Sequence, residues 1–266
     1  MKGFAILEEF EDHWVTDMGK WFPGERVVLR GKDLLNELRD MRWMAQLLFA
    51  ITGRCFSDEE VQLFEGIWSI TVNYPDPRIW PNRVAALAGT ARSTAGLGVS
   101  AAMAVSEAEL FGHRANIRTI DFMIRTRKRI DNGESIEDIV RKELKTHRWV
   151  PGFGRPFVQA DERIKPLLEL AQSLGFGDGP HVKLAFAVSE VLSKSRYPMR
   201  MNIAALGATL AADRGLSPME YHRCFILSFL GGMVPSFIDT DSKAEGAFFP
   251  LNCRKIKYEG PDRRYW

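Results

Sequence analysis

Cysteine is scarce: three residues in 266, Cys55, Cys224 and Cys253. They are odd in number and widely spaced, with no CxxC, so neither a disulfide framework nor a zinc ribbon is indicated, and unpaired thiols suit a reducing, cytoplasmic setting. Charge of one sign is also lacking. The net charge of +2 is too small to point to nucleic acid or a membrane surface as the main partner. No run of about 18 apolar residues stands out, which argues against a membrane-spanning helix. Met1–Asp12 is acidic and mixed, unlike a signal peptide. GxGxxG, GxxxxGK[ST], GxSxG and HExxH are all absent, so the usual dinucleotide, nucleotide, serine-hydrolase and zinc-protease constellations are not offered. The five histidines, His13, His113, His147, His181 and His222, share no metal-ligand spacing, and no metal is implied.

What is present is an ordinary globular composition, 45% apolar and 26% charged, long enough for one large domain or two modest ones. The patterning is helical. Apolar positions from Leu34 to Phe49 predict a helix over Asp33–Thr52. Ser57-Asp58-Glu59-Glu60 is a capping box opening a helix through Ile70, and Tyr74-Pro75-Asp76-Pro77 is a breaker loop. Asn82–Leu110 is rich in Ala, Gly and Ser, and Gly89, Gly96 and Gly98 predict an interruption into two helices. Their small side chains allow close backbone approach, either at a subunit interface or within an internal helix pair. Further helices are expected over Ile117–Ile130, Ser135–Thr146, Asp161–Leu174, His181–Ser195, Met201–Arg214 and Met219–Leu230, the last after a Ser217 cap and Pro218. Glu25–Arg30 alone reads as a strand, and Ala247–Trp266 as an extended tail. The runs Arg125–Arg129 and Arg263-Arg264 fit a solvated helix face and a tail, or a phosphate patch. The fold class is all-α.

The most informative stretch is Pro151-Gly152-Phe153-Gly154-Arg155-Pro156, followed by Asp161-Glu162-Arg163. It resembles the "PGFGH…R…DPR" segment of the citrate synthase and citryl-CoA lyase superfamily. Other segments agree in order: Arg30-Gly31-Lys32-Asp33-Leu34 with "RGxDL", Phe111-Gly112-His113-Arg114-Ala115-Asn116 with "LHGGAN", Met201-Asn202-Ile203-Ala204 with "xNVD", and Tyr258-Glu259-Gly260-Pro261 with "YVGP". Arg83–Leu110 is similar to the superfamily's Ala-rich dimer helices. The resemblance covers most of the chain. It implies a large helical domain (residues 1–112 and 214–266), a smaller one (113–213) and a homodimer. It also implies coenzyme A or an acyl-CoA bound by Pro151, Gly152, Phe153 and Gly154, whose glycines would let backbone amides face the ligand, and a small carboxylate or keto acid as second substrate.

The resemblance equally marks departures. The carboxylate that removes a proton from acetyl-CoA aligns with Ala204, the enol-binding histidine with Gly112, the ketone-polarising histidine with Arg155, and a substrate-gripping arginine with Gln159. The earlier histidine expected near Asn73–Pro77 is missing. Arg155 can hold an anion bidentately or serve as a structural salt bridge. His113 with Asn116 is the remaining acid–base and hydrogen-bonding pair, or a helix-terminus element. Asp161 and Arg163 read as structural. Three functions stay open: an acyltransferase or lyase making or breaking a carbon–carbon bond beside a CoA thioester, another acyl-CoA enzyme on this scaffold, or a silent ligand- or partner-binding homologue. The glycine-bearing turn favours the first.

Each lost catalytic group costs about 10²–10⁴-fold. Oxaloacetate and acetyl-CoA are therefore expected to give almost no citrate. A free-thiol assay showing turnover near ~10 s⁻¹, typical of enzymes, would overturn that expectation.

Overall fold

The computed structural model describes residues 2–109, 112–155, 160–196 and 198–261. Pro156, Gln159, Leu110, Phe111 and the Arg263-Arg264 pair lie outside them. Among the described residues the chain is all-α apart from one small antiparallel sheet.

Helix α1 (Lys2–Phe10) precedes strands β1 (Gly19–Phe22), β2 (Arg26–Leu29) and β3 (Lys32–Asp33). The strand expected at Glu25–Arg30 is β2. Arg30 and Gly31, at φ 47° and 81°, make the two-residue turn whose twist suits a hairpin. The Arg30 guanidinium then reaches α2 (Trp43–Thr52), donating from Nε to the Ala50 carbonyl (2.7 Å) and from Nη2 to that of Ile51 (3.1 Å). Those are last-turn carbonyls without intrahelical partners.

Helix α2 begins ten residues later than its apolar pattern predicts. The Asp33 carboxylate accepts from the amides of Leu35 (2.9 Å) and Asn36 (3.2 Å) and from the Asn36 side chain (2.8 Å). This local capture offers the backbone an alternative to helix, so residues 34–42 form turns, with Leu38 still buried. Helix α3 (Asp58–Thr71) starts on the Ser57–Glu60 capping box as read.

The small-residue segment does form two helices, α4 (Trp80–Thr90) and α5 (Ala95–Ser106). Its break, however, is at Arg92, at φ 59°. Gly89, Gly96 and Gly98 lie inside the helices. Then come α6 (Arg114–Asp131), α7 (Ile136–His147), α8 (Ile164–Ser173), α9 (Pro180–Ser193), α10 (Ile203–Asp213) and α11 (Pro218–Phe225). A 3-10 turn over Ile226–Phe229 leads into α12 (Leu230–Asp241). The stretch Pro218–Asp241 is long and apolar enough to cross a membrane by length and composition alone, which the sequence reading did not register. Half of its most apolar window is buried within the protein. Among the described residues of the tail, a short 3-10 turn at Cys253–Lys255 interrupts otherwise irregular chain.

Helix α10 is the axis of the packing. Every residue from Ala205 to Ala212 is buried, because its small and aliphatic side chains let α3, α6, α8 and α9 pack around it. The main core gathers Met44, Leu48, Phe64, Ile67, Leu206 and Phe225 from α2, α3, α10 and α11. Cys224 is part of it, and burial pushes its thiol up to about 12. A second core joins α6, α7 and α9 through Phe122, Ile139 and Val188. A third joins α4, α5 and α12 through Ala85, Ala102, Met233 and Phe237. The basic run on α6 is a self-paired solvated face: Arg125 bonds Asp121 (2.7 Å), Arg127 bonds Asp131 (2.8 Å) and Arg129 bonds Glu134 (2.5 Å).

Gly89 and Gly96 do opposite jobs. A Cβ at Gly89 would sit 2.3 Å from Thr240 Oγ1 and 2.5 Å from the Phe237 carbonyl of α12, whereas one at Gly96 would meet nothing within 4 Å. Alanine gains up to about 1 kcal/mol of helix propensity over glycine, but overpacking costs about 1–3 kcal/mol, and a carbonyl in a packed helix cannot yield. Gly89→Ala should therefore lower the urea midpoint and Gly96→Ala should raise it. Equal shifts in the two variants would mean the α4–α12 approach is not close-packed.

Candidate active site

The 151–155 turn follows α7 after Arg148, at φ 63°. Val150 and Phe153 are driven into the second core, which anchors both sides of the turn. Between them Gly152 takes φ +84°, and a Cβ there would lie 2.7 Å from Thr119 Cγ2 and 2.8 Å from Ala205 Cβ. Only glycine satisfies both the backbone angle and the closeness of α6 and α10.

The turn then pairs with the residues that open α10. Phe153 and Met201 form an antiparallel bridge. Gly154 N–H donates to the Arg200 carbonyl (2.7 Å), and Asn202 N–H donates to that of Gly152 (3.0 Å). Asn202 works at both ends: its Nδ2 donates to the Gly154 carbonyl (2.9 Å), while its Oδ1 caps α10 by accepting from Ala204 N–H (3.0 Å). Phe153 N–H is spent on Val150 (3.1 Å). The amides of Phe153 and Gly154 are thus committed inside the protein, contrary to the expectation that this turn presents them to a ligand. Pro151, Gly152 and Phe153 are buried; of the four residues assigned to coenzyme A, only Gly154 lines the cleft described below.

Asp161 fixes the other end of the turn. Its side chain is fully buried. Oδ1 accepts from Arg163 N–H (3.2 Å) and Nε (2.9 Å); Oδ2 accepts from Arg163 Nη2 (2.9 Å) and from Ile203 N–H (2.9 Å). Burial pushes this carboxyl up, but the Arg163 fork and the Ile203 amide outweigh it and hold it below the usual range. Arg155 lies alongside, donating from Nη1 to Glu162 (2.8 Å) and to the Ala160 carbonyl (3.3 Å). Its bond to Glu162 raises its own affinity for the proton and lowers that of Glu162.

These groups form one side of a cleft of about 860 Å³. Gly154, Arg155, Asp161, Asn202 and Ala204 face it from the turn and α10. Ile70, Val72, Asn73, Ile79, Trp80 and Arg83 face it from the end of α3, the breaker loop and α4. Ala204, which aligns with the superfamily's base, does stand on the cleft. The sequence reading missed Arg78 and Arg83. Arg78 forks onto Asp76 at 2.9 and 2.5 Å, and its fork is the main reason the Asp76 carboxyl is lowered. Arg83 donates from Nε to the Pro77 carbonyl (2.9 Å), and its guanidinium sits over Trp80 (5.3 Å) and Phe249 (5.1 Å). The i, i+3 spacing of Trp80 and Arg83 is the signal that could have flagged the pair.

His113 and Asn116 are brought together, but neither lines this cleft. His113 is completely buried. Its Nε2 contacts the Phe225 carbonyl at 2.7 Å, and since a carbonyl only accepts, Nε2 carries the proton. Asn116 Nδ2 approaches Nδ1 at 3.5 Å. The ring packs against His222 (5.3 Å) and Phe229 (5.0 Å). Burial pushes it from 6.5 down to about 4, so it is neutral near pH 7 and joins the start of α6 to the end of α11.

No family model matches the chain, and no curated protein matches it. Solved structures do. Citryl-CoA lyase from Hydrogenobacter thermophilus is 21% identical, with a TM-score of 0.81 over 95% of this chain and 97% of that one. ATP citrate lyase from Methanothrix soehngenii, solved with citrate and coenzyme A, is 16% identical, with a TM-score of 0.76 over 97% of this chain but 44% of that one. Citrate synthase from Thermoplasma acidophilum, solved with carboxymethyl coenzyme A and oxaloacetate, is 18% identical, with a TM-score of 0.64 over 85% of this chain and 59% of that one. The chain has the all-α fold of citrate synthase and citryl-CoA lyase, as its motifs implied.

The buried neutral His113 has a measurable signature. Between pH 6.5 and about 4 the unfolded chain binds a proton at this ring that the folded protein refuses. Stability therefore falls as pH drops through that window, by about 3 kcal/mol in all. Urea titrations at pH 7, 5.5 and 4.5 should show this slope in the wild type and a shallower one in His113→Gln; identical slopes would mean the ring is not held neutral.

Proposed function

We propose that the cleft binds a coenzyme A thioester and that the protein acts on the carbon skeleton beside it, making or breaking a carbon–carbon bond. The observation that carries this is the cleft's construction. The Gly154–Arg155 turn and the N-terminus of α10 meet on it, in a fold shared along nearly the full length of a citryl-CoA lyase. The thioester would lie against Gly154 and Ala204, and the second substrate, a carboxylate or keto acid, toward the arginines.

The chemistry open to these residues is chiefly electrostatic. Guanidinium groups fixed before the reaction stabilise developing negative charge without reorganising. Proton removal from carbon is poorly served. Ala204 has no acid–base group, and Asp76, Asp161 and Glu162 are held low by their arginines, which makes them weak bases. No histidine lies among the described residues that line the cleft. That last feature favours a second reading, a ligand-binding relative without turnover.

A homodimer is part of the proposal. The α4–α5–α12 layer exposes Leu87, Leu97, Val234 and Ile238 beside the small residues Ser100, Ala101 and Ala104, a surface two copies could cover by close helix packing.

Calorimetry of the full chain with coenzyme A and acetyl-CoA, with light scattering on the same sample, tests both parts. Binding should stabilise the fold by about 2.7 kcal/mol at ligand a hundredfold above Kd, and the scattering mass should be twice that of one chain. Absence of heat and of a thermal shift would remove the thioester assignment; a monomeric mass at micromolar concentration would remove the dimer.

A further inference from the structure

Four guanidinium groups line the cleft, and three are already committed. Arg78 is paired with Asp76 (2.5 Å), Arg155 with Glu162 (2.8 Å) and Arg163 with the buried Asp161 (2.9 Å). Arg83 differs. Its Nε is used on the Pro77 carbonyl, while neither Nη has a hydrogen-bond partner or a carboxylate within ion-pair distance among the described residues. Trp80 and Phe249 flank the guanidinium, so the group is held in place with its fork unspent. A planar fork fixed in this way suits one carboxylate bound bidentately.

Beside the paired Asp76 and Arg78, that wall carries a run of hydrocarbon. Ile70, Val72, Ile79 and Trp80 line the same side of the cleft, and Ile203 and Ala204 face it from α10. A dicarboxylate would set its second charge among these side chains or beside Asp76 and Glu162, whose arginines are taken. A single carboxylate carrying a hydrocarbon chain meets both features.

We propose that Arg83 is the anion receptor of the cleft and that the second substrate is a monocarboxylic acid, such as a 2-oxo acid, with an aliphatic chain lying along Ile70, Val72, Ile79 and Trp80. This deepens the proposed function and rests on it for the role of the thioester, but not for the binding of the acid. Arg83 is a specificity-determining residue here: it selects one carboxylate, and the apolar wall selects the chain.

The test is calorimetry of the full chain with 2-oxobutanoate, 2-oxooctanoate and oxaloacetate, each with and without coenzyme A. Each methylene buried on the wall should tighten binding about fourfold, so 2-oxooctanoate should bind far more tightly than 2-oxobutanoate and at least tenfold more tightly than oxaloacetate. Arg83→Gln should weaken 2-oxooctanoate about tenfold or more. Arg83→Lys should also weaken it, since a point charge lacks the fork. Coenzyme A affinity should be unchanged in both variants. Oxaloacetate binding as tightly as 2-oxooctanoate, no acid binding at all, or an affinity indifferent to Arg83→Gln would each overturn the proposal. The wild-type comparison needs no variant, so a poorly folded mutant does not shield it. If the acids behave as expected and coenzyme A does not bind, the thioester assignment falls and this one stands. If coenzyme A binds and the acids show no such order, the reverse holds.

Discussion

The Asp161 carboxylate is buried and ionised at once, and four N–H bonds make that combination possible, three from Arg163 and one from Ile203. An unpaired buried carboxylate would be strongly disfavoured, so the bonds fix where each donor must be. The Ile203 amide is the first of α10, and α10 is the axis on which the main core is assembled. The same carboxylate lies 3.8 Å from Arg155. The start of the central helix, the position of Ala204 on the cleft and the two arginines beside it are therefore set by one interaction.

Three of the cleft's four arginines are neutralised by a carboxylate beside them, and this shapes what it can do. Arginine–carboxylate pairs are good scaffolding and poor proton-transfer machinery, because each partner holds the other in its charged form. The fold is shared with citryl-CoA lyase and citrate synthase, yet here the positions that face the cleft carry fixed charge and hydrocarbon. The carboxylates held low by their arginines, Asp76, Asp161 and Glu162, are suited to fixing geometry rather than to taking up a proton.

Much of the fold was legible because its signals are local. The capping box at Ser57, the helix start at Ser217 and Pro218 and the β2 strand depend on a few neighbouring residues, and they stand where the sequence put them, although the helix opened by Pro218 gives way to a 3-10 turn after Phe225. Where the sequence misled, a more distant or competing contact decided. Asp33 captured its own downstream amides and delayed α2. Gly89 and Gly98 looked like helix interruptions but are contact points: Gly89 is made necessary by Thr240 and Phe237 of α12, far away in the chain, and Gly98 chiefly by Ala88 of the adjoining α4. The glycine character of Gly152 answers to Thr119 and Ala205, which crowd it from α6 and α10. His113 carried a family motif into the core. Arg83 carried no motif, and its prominence arises only where Phe249, Trp80 and the Pro77 carbonyl converge. Helix packing is encoded over short distances, whereas the lining of the cleft is encoded by what folding brings together.

Cys224 offers a clock for the whole molecule. Its thiol is enclosed in the main core and held protonated far above neutral pH, while Cys55 and Cys253 are exposed. Thiolate-directed reagents act on the ionised sulfur, so the two exposed cysteines would be modified at once and the third only when the helices around α10 come apart. The slow phase of an alkylation time course would then count global openings, one by one, in a protein carrying no added label.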